Sequence, residues 1–415
     1  MTESPEVVSS PAAPPSERYP LIDALRGFAL AGVLLVNLGP LTLYEFLDAQ
    51  ARAALPTAGF DRAALQGMEA LVNIKAATLF SLLFGLGFAL QLDRARARGR
   101  GGVGRFVWRL LILAALGLAH GYLLWWGDIL LLYALVGLLL VLFRRAPDRV
   151  LLSAGLFIAL AVPPLLSPWV RELLAGLPKR GAFYARTLEA FSSPSWAEAL
   201  RHNVAVMNWS SLLNWALVCF VLGRFLLGYW AGRRQLFQRP DLHRDTLRRL
   251  FLGTLGVGVA MTALAFVQEP LMERFPLWKE GVGRFGLRVA WRTGPLALGV
   301  AYACGFALLF LRPAWRRRLE WLVPAGRMAL THYLTQSVLG VGLFYGAGLG
   351  LGPRWGVAGW LLAWGLIFSA QVAASHWWLA RFRFGPLEWL WRSLTYGTPQ
   401  PMRREPPLSV GRPLP

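Results

Sequence analysis

Apolar runs long enough to cross a bilayer recur from one end of this chain to the other. They lie near 21–43, 66–92, 105–125, 128–143, 149–168, 205–231, 250–268, 289–311, 323–346 and 356–380. Hydrocarbon about 30 Å thick demands roughly 20 apolar residues in helical form, because no water is present there to satisfy an open backbone. The expected fold is therefore an all-α integral membrane protein with about ten transmembrane helices in one bundle. Composition agrees, with 56% hydrophobic and only 16% charged residues. Pro163 and Pro164 predict a kink in the fifth run, since proline removes a helix hydrogen bond.

Residues 1–19 are rich in Pro, Ser and Glu and lack the basic start of a signal peptide. A disordered tail is expected there, with the first helix retained. The membrane domain is expected over 20–397, its last part, 382–397, being an interfacial amphipathic helix, and a Pro-rich disordered tail over 398–415. Cys219 and Cys304 both fall inside apolar runs, so no disulfide framework or CxxC metal site is available. A glycine-rich phosphate loop, HExxH and GxSxG are all missing, and no metal and no tightly bound cofactor is expected.

A formal charge of +21 would point to nucleic acid in a soluble protein, but here the basic residues follow the membrane. Arg94, Arg96, Arg98, Arg100 and Arg105 fall between the second and third runs, and Arg144, Arg145 and Arg149 between the fourth and fifth. Clusters at 233–249, 312–318 and 381–404 follow the sixth, eighth and tenth. These are alternate connections, and the intervening ones are mixed or nearly uncharged. By the positive-inside rule the arginine-rich side is cytoplasmic, so both termini are expected there. The expected partner is the lipid bilayer, with no nucleic acid. Two longer connections on the other side, about 169–204 and 269–288, carry Trp169, Phe183, Tyr184, Trp196 and Trp278. They suit an aromatic belt or the wall of an outward-facing site.

Polar groups inside hydrocarbon are costly and mark candidate sites. At 100° per residue, Asp23, Arg26 and Asn37 share one face of the first helix within about 60°, with Asn37 about 16 Å above Arg26. An ion pair with an interhelical amide is the structural alternative. His120 and Asp128 flank a short turn, where a carboxylate can orient an imidazole as a general base or the two can simply clamp the turn. Glu69, Asn73 and Lys75 fall in the same layer, as a functional group or a structural pair. Arg327 and Thr331 share a face of the ninth helix, as do His332 and Gln336, where interhelical hydrogen bonding competes with ligand binding.

Several stretches are familiar. LIDALRGFALAGVLLVNL at 21–38 resembles the first helix of membrane acyltransferase-like proteins. Together with KAATLFSLLFGLGFAL at 75–90, GLAHGYLLWWGDILLLYALVG at 117–137, GRMALTHYLTQS at 326–337 and FRFGPLEWLWRSLTYG at 382–397, it resembles the YeiB-like family, the bacterial domain of unknown function 418. In the better-understood membrane acyltransferases the first helix carries an arginine and, eleven residues on, a histidine that is the catalytic candidate. The matching positions here are Arg26 and Asn37, and an amide cannot act as a base. A related branch pairs that Asn with a His in the next connection, but residues 38–65 contain none. The resemblance therefore leaves His120, oriented by Asp128, as the candidate base.

What the resemblance implies is acyl transfer. Acyl-CoA as co-substrate would set its phosphates on Arg26 and Arg327, with Asp23, Glu69, Asn73, Lys75, Thr331 and Gln336 completing the binding surface. Asn37 would hydrogen-bond the developing oxyanion, and the acceptor would be an envelope glycan, a lipid or a small molecule. The competing expectation is a transporter or flippase of a small or lipid-linked solute, with the same residues along its path.

Overall fold

A computed structural model describes residues 18–97 and 102–404. The expected tails lie outside these apart from Arg18, Tyr19 and 398–404, and so do Arg98 and Arg100. Eighteen α-helices follow one another among the described residues. The first six are α1 Pro20–Leu41, α2 Ala49–Ala53, α3 Ala58–Leu71, α4 Lys75–Ala97, α5 Gly102–Leu123 and α6 Leu130–Leu142. Then come α7 Asp148–Leu160, α8 Val162–Leu173, α9 Arg180–Ser192, α10 Trp196–Leu213, α11 Ala216–Arg233 and α12 Arg244–Arg274. The last six are α13 Gly281–Phe310, α14 Pro313–Leu319, α15 Val323–Arg327, α16 Ala329–Phe344, α17 Gly356–Arg381 and α18 Pro386–Tyr396. Extended pairing among the described residues is limited to one isolated antiparallel bridge, Phe382 with Arg403.

The protein is thus all-α, and eight stretches are long and apolar enough to cross a membrane. They are 20–41, 58–97, 102–123, 148–173, 216–233, 244–274, 281–310 and 356–381. The surface bears this out: on α12 only Leu247 and Gly258 are buried, while Leu252, Val257, Val259 and Phe266 stand exposed. So large an apolar surface needs lipid to cover it.

Several expected spans are interrupted. The second breaks where Ile74 takes φ 63°, a left-handed conformation that ends α3 before α4 begins. The fifth breaks at Ala161 ahead of Pro163 and Pro164, as their lack of N–H groups requires. The sixth divides at Asn214 and Trp215 between α10 and α11, and the ninth at Met328 between α15 and α16. The fourth, α6, has only 13 residues, about 20 Å of helix at 1.5 Å per residue, well short of the hydrocarbon thickness. The aromatic connection near 169–204 holds the end of α8, all of α9 and the start of α10.

Packing is close where α4 crosses α11. A Cβ on Gly85 would overlap the carbonyl of Phe225, and one on Gly228 that of Leu82, so the two backbones meet through glycine from both sides. Phe84 stacks on Phe225 with centroids 4.4 Å apart, and Tyr133 of α6 packs edge-on to both. On the other flank α17 is tied to α1 by indole donors: Trp360 Nε1 reaches the Leu35 carbonyl at 2.6 Å and Trp364 Nε1 that of Ala31 at 2.8 Å. α18 begins with Pro386 in its first turn and stops at Gly397, φ 70°, a left-handed C-cap. It docks on the first half of α5 through Trp391 Nε1 to the Arg109 carbonyl, 3.0 Å, and Trp108 Nε1 to that of Leu394, 3.2 Å. Beyond it, the described part of the expected disordered tail turns back, with Arg383 N bonded to Met402 O at 2.8 Å and Arg404 N to Arg381 O at 3.1 Å.

Candidate functional site

Inside the bundle lies a cavity of about 780 Å³. One end is lined by Arg18 and Arg26 beside α1, Arg94 and Arg109 from α4 and α5, Arg327, and Arg383 and Arg392 around α18. The acids there are Asp23 and Glu388. Asp23 Oδ1 holds Arg26 Nη1 at 3.0 Å, as their spacing on one face implied. Arg327 Nη2 donates to the Arg383 carbonyl at 3.1 Å, and the Arg109 guanidinium lies 4.2 Å from the Trp391 ring centroid. Such an excess of guanidinium over carboxylate favours an anionic ligand, phosphate above all because the planar fork matches it. The first and last described segments of the chain therefore meet at this one arginine-rich end.

The body of the cavity is apolar, with walls that include Leu30, Val33, Phe84, Leu113, Phe106 and Phe220. Polar lining returns at the far end as Asn37, Asn73, Asn214 and Arg292. Asn37 has no hydrogen-bond partner among the described residues, whereas Asn73 Nδ2 donates to Glu69 Oε2 at 2.5 Å. The space is amphipathic along its length: strongly cationic, then apolar, then three amides with the single guanidinium of Arg292.

Asp23, Arg26, Asn37, Asn73 and Arg327 all line this cavity, and the other expected residues do not. Lys75 is buried and gives its ammonium to the Glu69 backbone carbonyl, closing the end of α3 where Ile74 breaks the helix, so no Glu69–Lys75 ion pair forms. Thr331 Oγ1 is taken by Glu388 Oε2 at 2.6 Å. Gln336 Nε2 donates to Gln371 Oε1 at 2.9 Å, and His332 Nε2 sits 2.5 Å from Ser375 Oγ. Both face α17 and act as interhelical ties.

His120 and Asp128 meet as their spacing suggested, Nδ1 to Oδ2 at 2.7 Å, with both side chains sealed from solvent. Asp128 Oδ1 also accepts from Leu131 N at 2.8 Å, capping the start of α6. Between the imidazole and the cavity stands Tyr333, ring centroid 5.3 Å from that of His120. Its hydroxyl donates to the Gly127 carbonyl and accepts from Ile129 N, both at 3.1 Å. Tyr333, Gly127 and Ile129 line the cavity, while His120 and Asp128 lie behind them. His120 Nε2 is buried with no hydrogen-bond partner.

Residues 231–398 match the family model described as "Protein of unknown function (DUF418)". Over 415 aligned residues the chain is 30% identical to the uncharacterized protein YxaH of Bacillus subtilis (strain 168), covering 94% of this chain and 97% of YxaH. The chain belongs to the DUF418 family. Two further relatives extend across the same length. One is an uncharacterized 39.9 kDa protein in the amylase 3' region of Bacillus acidopullulyticus, 30% identical with 93% and 96% covered. The other is the uncharacterized protein YeiB of Escherichia coli (strain K12), 29% identical with 91% and 96% covered. The match therefore includes α1 and α5, which lie before the part seen by the family model.

This DUF418 chain carries functional candidates that spacing alone did not pick out. Glu388 closes the start of α16, its Oε1 accepting from Leu330 N at 2.7 Å and Thr331 N at 3.1 Å. Burial raises its carboxyl pKa, against the opposing effect of these bonds and that from the Thr331 hydroxyl. Arg224, buried in α11, gives Nε to Thr78 Oγ1 at 2.8 Å and Nη1 to the Phe220 carbonyl at 3.1 Å. Arg109 and Arg224 did have a signal, an arginine within an apolar run, whereas Glu388 had none beyond its place in a quoted segment.

At the end of α1 remote from Arg18 the DUF418 chain has a second cavity, about 520 Å³, which shares Leu213 and Asn214 with the first. Glu45, Arg180, Tyr184, Trp126 and Trp209 stand on its wall. The break between α10 and α11 thus marks where the two spaces meet.

Proposed function

We propose that this chain is a plasma-membrane acyltransferase of bacteria, taking an acyl group from cytosolic acyl-CoA and delivering it to an acceptor on the opposite face. The observation that carries this is the order of the cavity lining: seven arginines at one end, an apolar body, three amides with only Arg292 at the other, and a second cavity beyond. By the positive-inside rule the arginine end faces the cytoplasm, so both chain ends lie there. Arg26, Arg109 and Arg327 hold the donor's phosphates, the apolar walls hold the chain that bears the thioester, and Asn37 hydrogen-bonds its carbonyl oxygen as charge develops there. In the transfer the acceptor oxygen or nitrogen bonds to the acyl carbon, the carbon–sulfur bond breaks, and the proton lost by the acceptor ends on the departing thiolate.

Transport of an amphipathic phosphate compound is the second reading. It is favoured by the absence of any histidine from the walls of either cavity among the described residues. Purified protein in nanodiscs, given acyl-labelled CoA thioester and mixed envelope acceptors, separates the two. Acyl transfer releases free thiol with label on an acceptor, and Arg109→Gln or Arg327→Gln lowers both. Label that crosses a proteoliposome membrane with its thioester intact refutes acyl transfer. For the orientation, Phe60→Cys is expected to react with an impermeant reagent from outside and Arg145→Cys from inside, both positions being exposed.

A further inference from the structure

The second cavity differs in chemistry from the first. It has one carboxylate, Glu45, and one guanidinium, Arg180, so it lacks the cationic excess of the arginine end. Glu45 Oε1 accepts from the Tyr184 hydroxyl at 2.9 Å, while Oε2 has no partner among the described residues. The Arg180 guanidinium lies over the Tyr184 ring at 5.2 Å and has no carboxylate within 4.0 Å among the described residues. Two polar forks are therefore left with bonding capacity beside the aromatic surfaces of Tyr184, Trp126 and Trp209.

These surfaces are held in place. Trp209 stacks on Phe183 with centroids 4.3 Å apart and donates Nε1 to the Pro178 carbonyl at 3.3 Å. Glu45 is anchored by Arg52 Nη2 on its carbonyl at 2.8 Å and by its neighbour Phe46, which packs edge-on to Tyr184 at 5.1 Å. Burial first, and Glu45 second, push the Tyr184 phenol up to about 12, so it stays a donor across the physiological range. Fixed flat apolar faces alternating with a carboxylate, a guanidinium and the Asn214 amide suit a molecule with C–H faces and hydroxyl edges. A strongly anionic ligand would meet Glu45, and a cation would meet Arg180.

We infer that this cavity binds a neutral polyhydroxylated molecule, a sugar unit by chemical class, with Glu45 and Arg180 receiving its hydroxyls and Trp209 its apolar face. This deepens the acyl-transfer proposal by naming the acceptor class, and it rests on that proposal only for calling the sugar an acceptor. Binding is independent of any donor.

The test is titration of the full chain in nanodiscs with glucose and maltotriose, and with glucose 6-phosphate as a charged comparison, read by calorimetry and tryptophan fluorescence without any thioester. The neutral sugars are expected to bind at millimolar concentrations and more tightly than the phosphate. Glu45→Gln should weaken them by roughly tenfold or more, the worth of one hydrogen bond to a charged group. Trp209→Leu should remove the fluorescence change, and Arg180→Gln provides a second polar variant should Trp209→Leu fail to fold. Arg316→Gln, on exposed α14, should leave binding unchanged. Binding of neither sugar, or wild-type affinity in both Glu45→Gln and Arg180→Gln, overturns the inference. Sugar binding without acyl transfer would instead leave this site standing and remove the donor chemistry.

Discussion

Glu388 offers the sharpest test of how the chain's last helix is coupled to its core. Helix α16 follows Met328 without a capping side chain of its own, and the carboxylate that serves it comes from α18, fifty-seven residues from Thr331. Glu388→Ala would strip acceptors from Leu330 N, Thr331 N and the Thr331 hydroxyl at once. An unsatisfied buried donor costs about 1–3 kcal/mol, and water entering the vacated space recovers part of it, so the loss should total about 2–5 kcal/mol. Glu388→Gln retains one oxygen acceptor and loses the favourable charge at a helix N-terminus, so about 1–2 kcal/mol is expected. Thr331→Val paired with Glu388→Ala should cost less than the two changes summed, because the hydroxyl then has nothing to lose. The assay is thermal unfolding in nanodiscs followed by intrinsic fluorescence, with limited proteolysis after residue 381 as a local readout. Equal midpoints for wild type, Ala and Gln variants, or strict additivity with Thr331→Val, would refute the capping role.

Four further outcomes follow from the geometry. Arg26→Ala should lower folded yield more than the double change with Asp23→Ala, by about 1–2 kcal/mol for a partly exposed pair, and equal yields would show that the 3.0 Å contact carries no coupling. Asp128→Ala should destabilise more than His120→Gln by about 1 kcal/mol, the worth of the cap on α6. His120→Gln should hold acyl-transfer turnover within about twofold in folded protein, whereas a loss of roughly 100-fold or more would return the imidazole to the role of base. His202, stacked on Phe183 and 2.9 Å from Thr187 Oγ1, has its pKa lowered by burial, so the folded state resists its protonation. Stability from this group is full above the unfolded value of about 6.5 and falls as pH drops from there toward the folded value. Unfolding midpoints measured across that interval should decline in wild type and less in His202→Gln, and parallel slopes would exclude His202 as the cause.

Membrane residence, helical class and family were legible from the sequence because each is a sum over local properties. Twenty apolar residues in a row need no partner to be identified as hydrocarbon-soluble, and Asp23 with Arg26 or His120 with Asp128 are close enough along the chain to meet by helix geometry or across a short turn. Helix breaks without proline were not legible: nothing in the apolar pattern around Ile74, Met328 or Asn214 announces a change of direction. Ordinary residues adopt the break because neighbouring helices and Lys75 supply the bonds that the backbone gives up there. Membership of the cavity was decided by tertiary structure alone. Each residue along a helix turns its side chain by 100°, so Thr331, His332 and Gln336 could have faced the ligand space or α17 with equal ease on sequence grounds. Docking of α18 onto α5 and α16 settled it, bringing Glu388, Arg392 and Trp391 to Thr331 and Arg109 across long stretches of chain. That docking turns the Thr331 hydroxyl onto Glu388 and leaves Glu388 and Arg109 on the cavity wall.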